Sequence, residues 1–193
     1  MGITDFSLGL LDKYLNNQTS VIELGAQNLY SYKYESQPYA DVYYTSKGLK
    51  YTCIDYNKEN NAIDLDLSIK QNLDKYEVVT DFGTSEHINI NKKHDPKAFY
   101  NCWLNKHNLC VVGGIIINEN PKTGNWQGHG YNYVTQEFYI ELAKLNNYEI
   151  LEIGEHPAMN NTENGWNIYC VLRKTQDKFM TLTAFKKLPF YTK

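Results

Sequence analysis

Ser20-Val21-Ile22-Glu23-Leu24-Gly25-Ala26-Gln27 is the stretch whose reading decides the fold. Apolar residues and one acid lead up to a single glycine, and the chain then turns polar. A short apolar run closed by glycine predicts a buried strand that stops at a tight turn. In an open α/β sheet, ligands collect beyond the carboxyl ends of such strands. An acid one residue before the strand's end, Glu23, is odd for a core and natural for a ligand site.

Working outward, residues 4–17 carry Phe6, Leu8, Leu10, Leu11, Tyr14 and Leu15 at helical spacing, with Thr4 or Asp5 as N-cap. A helix over 39–47 is predicted to stop on Gly48. Further strands are predicted at 51–55, 61–67 and 77–83, the second from the alternation of Ile63 and Leu65 with Asp64 and Asp66. Pro96 opens a helix over 96–107. Gly113-Gly114 reads as a turn before a fully apolar strand, 115–119, whose composition predicts a central place. Thr135 caps a helix with Phe138, Leu142 and Leu145 on one face and Glu137 and Lys144 outside. Strands at 148–153 and 166–172 flank a polar loop, 155–165. Strands alternating with helices predict an α/β, mostly parallel sheet, its last two strands closing as an antiparallel hairpin. One domain over 1–193 is expected: an N-terminal helix (1–17), a Gly-, Asn- and aromatic-rich loop (120–134) that contacts substrate, and a tail (174–193) whose Phe179, Leu182, Phe185 and Phe190 fold back.

The composition narrows the function. Hydrophobic residues make up 42% and charged residues 21%, and 19 Lys+Arg against 22 Asp+Glu leave a net charge of −3. That balance gives no electrostatic reason to hold nucleic acid. The basic run Lys92-Lys93-His94-Asp95-Pro96-Lys97 is interrupted by Asp and Pro and reads as a solvated loop. Cys53, Cys102, Cys110 and Cys170 lack metal-ligand spacing, and three of them sit in apolar runs as free core thiols. No leader-like start and no membrane-length apolar stretch is present, so a cytoplasmic protein without a membrane partner is expected.

Acids at strand ends, with Glu23, Asp55, Asp66 and Asp81 in sequence, can hold ribose hydroxyls, an amine or an exocyclic amino group, and would repel a pyrophosphate. The glycine turn lacks G-x-G-x-x-G, which disfavours a nucleotide-dependent oxidoreductase. A nucleoside with an amino-acid tail fits better. The order Glu23-Leu24-Gly25, Ile54-Asp55, Asp64-Leu65-Asp66-Leu67 and Asp81-Phe82-Gly83-Thr84-Ser85-Glu86-His87, with Gly113-Gly114 before the fifth strand, resembles class I S-adenosylmethionine (SAM)-dependent methyltransferases over about residues 18–173. Within them it is similar to small enzymes with a GTSEH segment and a later His-Gly-Tyr-Asn-Tyr loop, here His129–Tyr133, some linked to sugar or polysaccharide modification. The resemblance implies a Rossmann-like, doubly wound sheet of seven strands and SAM as cofactor. Glu23, Gly25, Ala26 and Gln27 would line its methionine end, Asp55 would take the ribose, Tyr56 would lie beside the adenine, and Asp66 and Leu67 would meet the adenine edge. Asp81, Phe82 and Gly83 would border the methyl donor. One glycine stands where the family's first loop is glycine-rich, and Gln27 either points away or hydrogen-bonds the cofactor carboxylate.

Methyl transfer needs an aligned nucleophile and often a base. His87, oriented by Glu86, and His129, flanked by Gly128 and Gly130, are the candidate bases, whereas His94, His107 and His156 read as surface or loop residues. Glu86, His87, His129 and Glu119 are types that suit a divalent ion, but their spacing demands none and no metal is assigned. The absence of an Asn-Pro-Pro-Tyr signature after the fourth strand points to an oxygen acceptor, a small molecule or sugar stacked on Trp126, Tyr131 or Tyr133. A homodimer would supply the wall that so short a chain lacks. The alternative is a SAM-type fold kept as a binding or scaffold module without turnover.

Overall fold

In the computed structural model, which describes residues 2–91, 93–158 and 165–192, the chain opens on a short strand β1 (Ile3–Thr4) and helix α1 (Asp5–Tyr14). Thr4 is the N-cap: its hydroxyl accepts from the Ser7 N–H while the Ser7 hydroxyl takes the Thr4 N–H, a reciprocal capping box. The opening stretch is strand β2 (Ser20–Leu24). After it come β3 (Leu29–Tyr30), α2 (Asp41–Ser46), β4 (Lys50–Ile54) and β5 (Tyr76–Phe82). Helix α3 (Pro96–Leu109) has Pro96 in its first turn and Asp95 as N-cap, accepting from the N–H groups of Lys97 and Ala98. Strand β6 (Cys110–Pro121), β7 (Asn132–Tyr133), α4 (Gln136–Asn146) with its Thr135 cap, β8 (Glu149–Pro157), β9 (Trp166–Arg173), α5 (Leu182–Phe185) and β10 (Tyr191–Thr192) complete the chain.

The main sheet has six strands in the order β4-β2-β5-β6-β9-β8. β4, β2, β5 and β6 run parallel, and β9 is antiparallel to both β6 and β8. The sheet is mixed, and the seventh strand expected at 61–67 does not form. That segment makes one bridge, Ile54 to Ile63, beyond the edge strand β4. Asp64, Asp66 and Ile63 are exposed there, so no second buried face exists to hold an alternating strand in register. Gly113-Gly114 is not a turn ahead of the fifth strand but lies within β6. Gly113 takes φ +88°, and a Cβ on Gly114 would stand 2.7 Å from the Glu77 carbonyl oxygen.

Side-chain alternation sorts the strands onto two faces. Ile22, Leu24, Val79, Ile116, Ile168 and Leu172 pack under α3, α4 and α5, against Phe99, Trp103, Phe138 and Phe185. Val21, Val78, Phe82, Ile115, Ile117 and Val171 pack under α1 and α2, against Leu8, Leu11, Tyr43 and Tyr44. The tail does fold back: Phe185 is fully buried beside Phe99, Tyr100, Phe138 and Phe190. In α4 the buried stripe is Phe138, Tyr139, Leu142 and Ala143, and Leu145, expected inside, is 46% exposed. All four cysteines are free and buried. No described helix is long and apolar enough to cross a membrane.

Two expected surface histidines are interior. His107 is buried in α3 between the Tyr148 hydroxyl (2.7 Å) and the Asp177 carbonyl (3.0 Å). His156 lies on β8, stacked on Phe6 with Nε2 3.1 Å from Glu119 Oε1. The expected loop 155–165 is therefore strand as far as Pro157, and residues 159–164 lie outside the described residues. His94 is half-buried against Asn132. Lys92 of the basic run also lies outside the described residues, while Asp95 and Pro96 start α3.

Candidate active site

A cavity of about 860 Å³ opens beyond the carboxyl ends of β2, β4 and β5. Gly25, Ala26 and Gln27 line it after β2, Asp55 and Tyr56 after β4, Gly83, Thr84 and His87 after β5, and Leu65 to Ser68 close one side. Chain geometry at Gly25 explains the glycine. Its φ is +81°, and a Cβ there would lie 2.3 Å from Thr84 Oγ1 and 2.6 Å from Gln27 Nε2. Gln27 Nε2 donates to Thr84 Oγ1 at 3.2 Å, and Thr84 donates to the Leu24 carbonyl at 2.6 Å. The glutamine side chain is thus buried across the turn.

Of the acids expected at the rim, Asp55 and Asp66 line the cavity. Asp55 Oδ2 accepts from the Ala26 N–H at 2.8 Å and Oδ1 from the Asn57 N–H at 2.7 Å, joining the β2 and β4 turns. Asp66 Oδ1 accepts from the Ser68 N–H. Tyr56 stands 78% exposed at the edge, a free aromatic face.

Glu23, Asp81 and Phe82 do not line the cavity, because alternation turns them into the layers on either side of the sheet. Glu23 shares its face with Val21, so it meets Tyr51 (2.8 Å) and Tyr44 (3.4 Å) and accepts from the Gln27 N–H at 3.3 Å. Desolvation raises its carboxyl to about 8 despite these donors. Phe82 lies on that same face. Asp81 faces α3 and pairs with fully buried Lys106 at 2.5 Å. Its Oδ1 accepts from the N–H groups of Thr84 and Ser85, and Lys106 holds its carboxyl below the usual range against the cost of burial. Asp81 thereby anchors the turn Ser85–His87.

That turn carries the second part of the site. Glu86 is buried with Oε2 accepting from Asn120 Nδ2 at 3.0 Å, and Asn120 in turn accepts from the Tyr139 hydroxyl at 3.0 Å. Glu86 Oε1 lies 3.7 Å from His87 Nε2 and 3.8 Å from His129 Nε2. Desolvation, then the charge of Asp81, raises Glu86 to about 8, and desolvation lowers both imidazoles. The 120–134 loop is seated on Glu86: the Tyr131 N–H donates to its carbonyl at 2.7 Å, and a Cβ on Gly130 would lie 2.9 Å from that oxygen. Asn132 Nδ2 adds donations to the carbonyls of Ser85 and Ile88. Tyr133 is buried, donating to the Trp126 carbonyl, and Trp126 lies 5.1 Å from the His129 ring. Glu119 does not join this cluster. Its carboxylate points to the α1 face, where it accepts from Ser7 at 2.6 Å and Asn167 at 2.9 Å.

The cavity lies beyond the carboxyl ends of parallel strands, with an acid after β4 and glycine turns after β2 and β5, and the fold that places it is shared with proteins of known structure. A 1,6-didemethyltoxoflavin-N1-methyltransferase of Burkholderia thailandensis, solved with that compound and S-adenosylhomocysteine, superposes with a TM-score of 0.62 at 14% identity, covering 87% of this chain and 76% of that one. The N-methyltransferase NodS of Bradyrhizobium japonicum WM9, in complex with S-adenosylhomocysteine, gives 0.61 at 12% identity, with 90% and 89% covered. The chain has the fold of class I SAM-dependent methyltransferases. An O-methyltransferase from a trans-AT PKS multienzyme of Brevibacillus brevis shares this methyltransferase fold at 0.52 and 15% identity, over 93% and 74% of the two chains. No protein-family model matches the sequence, nor does any curated protein.

Asn57 and the run Ile88 to Asn91 also line the cavity and carry no recognisable sequence signal, and Thr84, quoted only as part of a motif, lines it too. Lys106 did have one. It stands in the stripe Cys102, Trp103, Lys106, Leu109, all buried, where the helical period calls for an apolar residue.

Proposed function

We propose that this chain is a SAM-dependent methyltransferase that methylates a hydroxyl of a small molecule or glycan. The observation that carries the reading is the position of the cavity: Gly25, Asp55, Tyr56, Asp66 with Leu67, and Gly83 converge on it in a methyltransferase fold. Asp55 has acceptor capacity left for ribose hydroxyls, Tyr56 offers a face for the adenine, and the Gly25–Ala26–Gln27 turn receives the methionine end. Bound SAM supplies an activated methyl group on a sulfonium. Glu23, Asp81 and Phe82 support this surface from beneath, shaping the β2 turn and the Ser85–His87 turn.

His87 is at once a wall of the cavity and a neighbour of Glu86 and His129. The acceptor is placed at this end, where His87 or His129 takes the hydroxyl proton as the oxygen attacks and Glu86 orients the rings. Trp126 and Tyr131, on the loop that carries His129, border the acceptor. The methyltransferases of similar fold act on nitrogen and on oxygen; the Asp81-Phe82-Gly83-Thr84 sequence favours oxygen here.

Calorimetric titration with S-adenosylhomocysteine tests the cofactor. Wild type is expected to bind and Asp55→Ala to bind far more weakly; absence of binding by wild type at millimolar ligand overturns the reading. The buried Gln27 side chain favours one other possibility, a module that holds ligand without turnover. Cofactor binding with no methylated product from hydroxylated acceptor pools, and no effect of His87→Ala, would establish that instead.

A further inference from the structure

Glu86, His87 and His129 offer one carboxylate oxygen and two imidazole nitrogens that all lie within 4.8 Å of one another. Two atoms of this set, Glu86 Oε1 and His129 Nε2, are buried and have no hydrogen-bond partner among the described residues. An ionisable oxygen buried without a donor is costly. Every other feature of the cluster holds that oxygen where it is. Asn120 engages only Oε2, leaving Oε1 turned toward the imidazoles. Tyr139 fixes Asn120 in turn, and the Tyr131 N–H and Asn132 amide clamp the backbone on either side of Glu86.

We propose that Glu86 Oε1, His87 Nε2 and His129 Nε2 bind a divalent transition-metal cation beside the cavity, which His87 lines. Two imidazoles and one carboxylate are a donor set for Zn²⁺, Fe²⁺, Co²⁺ or Mn²⁺ rather than Ca²⁺, which takes oxygens. A tetrahedral ion with ~2.1 Å bonds keeps its ligand atoms ~3.4 Å apart; the carboxylate oxygen lies 3.7 and 3.8 Å from the two imidazole nitrogens and the whole set within 4.8 Å, so binding draws the rings inward. His87 ends the Ser85–His87 turn with a side chain 44% exposed and His129 lies on the 120–134 loop, while the buried carboxylate is the fixed member. Asn120, with Tyr139 behind it, is the outer hydrogen bond that orients the ligating carboxylate. Three protein ligands leave coordination positions for water or for an oxygen of the acceptor.

The site itself is independent of the proposed methyltransferase activity; its use in methyl transfer rests on that reading. There, an acceptor hydroxyl on the ion releases its proton to water and forms the new C–O bond as the C–S bond breaks, the electron pair staying on sulfur. The ring nitrogens are then ligands rather than bases.

Titration of the metal-free full chain with Co²⁺, followed by visible absorption, with Zn²⁺ as competitor, tests the site. One equivalent of Co²⁺ per chain, displaced by Zn²⁺, is expected for wild type. Binding is expected to be lost in Glu86→Gln and in His129→Gln, weakened roughly 10- to 100-fold in Asn120→Ala, and unchanged in His94→Gln, which lies outside the cluster. Circular dichroism confirms that each variant is folded, and His87→Gln replaces any that is not. No stoichiometric Co²⁺ binding by wild type, or retention of it in folded Glu86→Gln and His129→Gln, overturns the proposal. Asp55→Ala is expected to lose S-adenosylhomocysteine and keep Co²⁺. If wild type binds Co²⁺ but no S-adenosylhomocysteine, only the methyltransferase reading falls, and the converse result removes only the cation site.

Discussion

Gln27 is where this molecule departs furthest from a glycine-rich cofactor loop. Its amide crosses the Gly25 turn to Thr84 at the wall of the cavity, on the side where the proposed reading puts the methionine end of the cofactor. Removing the side chain therefore opens the cavity: Gln27→Ala is expected to bind S-adenosylhomocysteine several-fold tighter by calorimetry, the scale of one hydrogen bond worth ~1 kcal/mol. Weaker binding would instead show that Gln27 swings out to hold the cofactor carboxylate. Glu23 makes a second prediction at this scale. Its carboxyl is raised from 4.5 to about 8 by burial. Between those values the folded chain keeps a proton that the unfolded chain has released, so Glu23 lowers stability progressively as pH rises through that window. The slope is at most ~1.4 kcal/mol per pH unit. Glu23→Gln removes it, so urea unfolding is expected to show the variant gaining on wild type between about pH 4.5 and about pH 8. Parallel curves would contradict the buried, proton-holding carboxyl.

Among the elements, the C-terminal segment depends most on the rest of the fold. Helix α5 is only Leu182–Phe185, too short to stand on its own, yet Thr181 caps it and Phe185 reaches the core between α3 and α4. Backbone pairing of β10 with β7 then ties the tail to the loop that carries His129. Phe185→Ala is expected to cost about 3–5 kcal/mol in urea unfolding, as for other buried aromatic truncations. Helix α3 behaves differently, because its sequence states its own limits through Asp95, Pro96 and the apolar stripe. What the stripe hides is Lys106, whose ammonium lies 3.9 Å from the Trp103 ring centre and donates to Asn118 at 2.7 Å while pairing with Asp81. The loop 120–134 is an element too: Gly130 lets it lie on Glu86, and Asn132 bonds it to the turn below.

At the scale of the whole molecule, the sheet converts alternation into chemistry. Asp81 and Asn118 lie on the face that meets α3, so both meet Lys106; Glu119, one residue on, meets Ser7 of α1. This ion pair is enclosed between sheet and helix and holds the Ser85–His87 turn at the cavity. Lys106→Met leaves Asp81 buried without its partner and is expected to cost about 3–5 kcal/mol by urea unfolding, most of it recovered in the Asp81→Asn/Lys106→Met double variant. A single variant that unfolds like wild type would show that the pair contributes little.

Strand, helix and cap positions were legible in the chain because they rest on local chemistry: an apolar run ending at Gly25, Thr4 and Thr135 at helix starts, Pro96 in a first turn. So was the gathering of Gly25, Asp55 and His87 at one edge, since each follows a strand that runs in the same direction; Asp66 reaches that edge on a segment that forms no strand. The sequence by itself could not decide which strand-end acids face the ligand, because the face of Glu23 or Asp81 depends on which helix covers it. Nor could it show that 61–67 lacks a neighbour to pair with, or that His107 and His156, polar in a polar context, find partners inside. The meeting of Glu86 with His129, over forty residues away, was decided only by the tertiary structure. It requires a loop folded back across the sheet edge, and long-range closure of that kind is set by packing and not by any local preference.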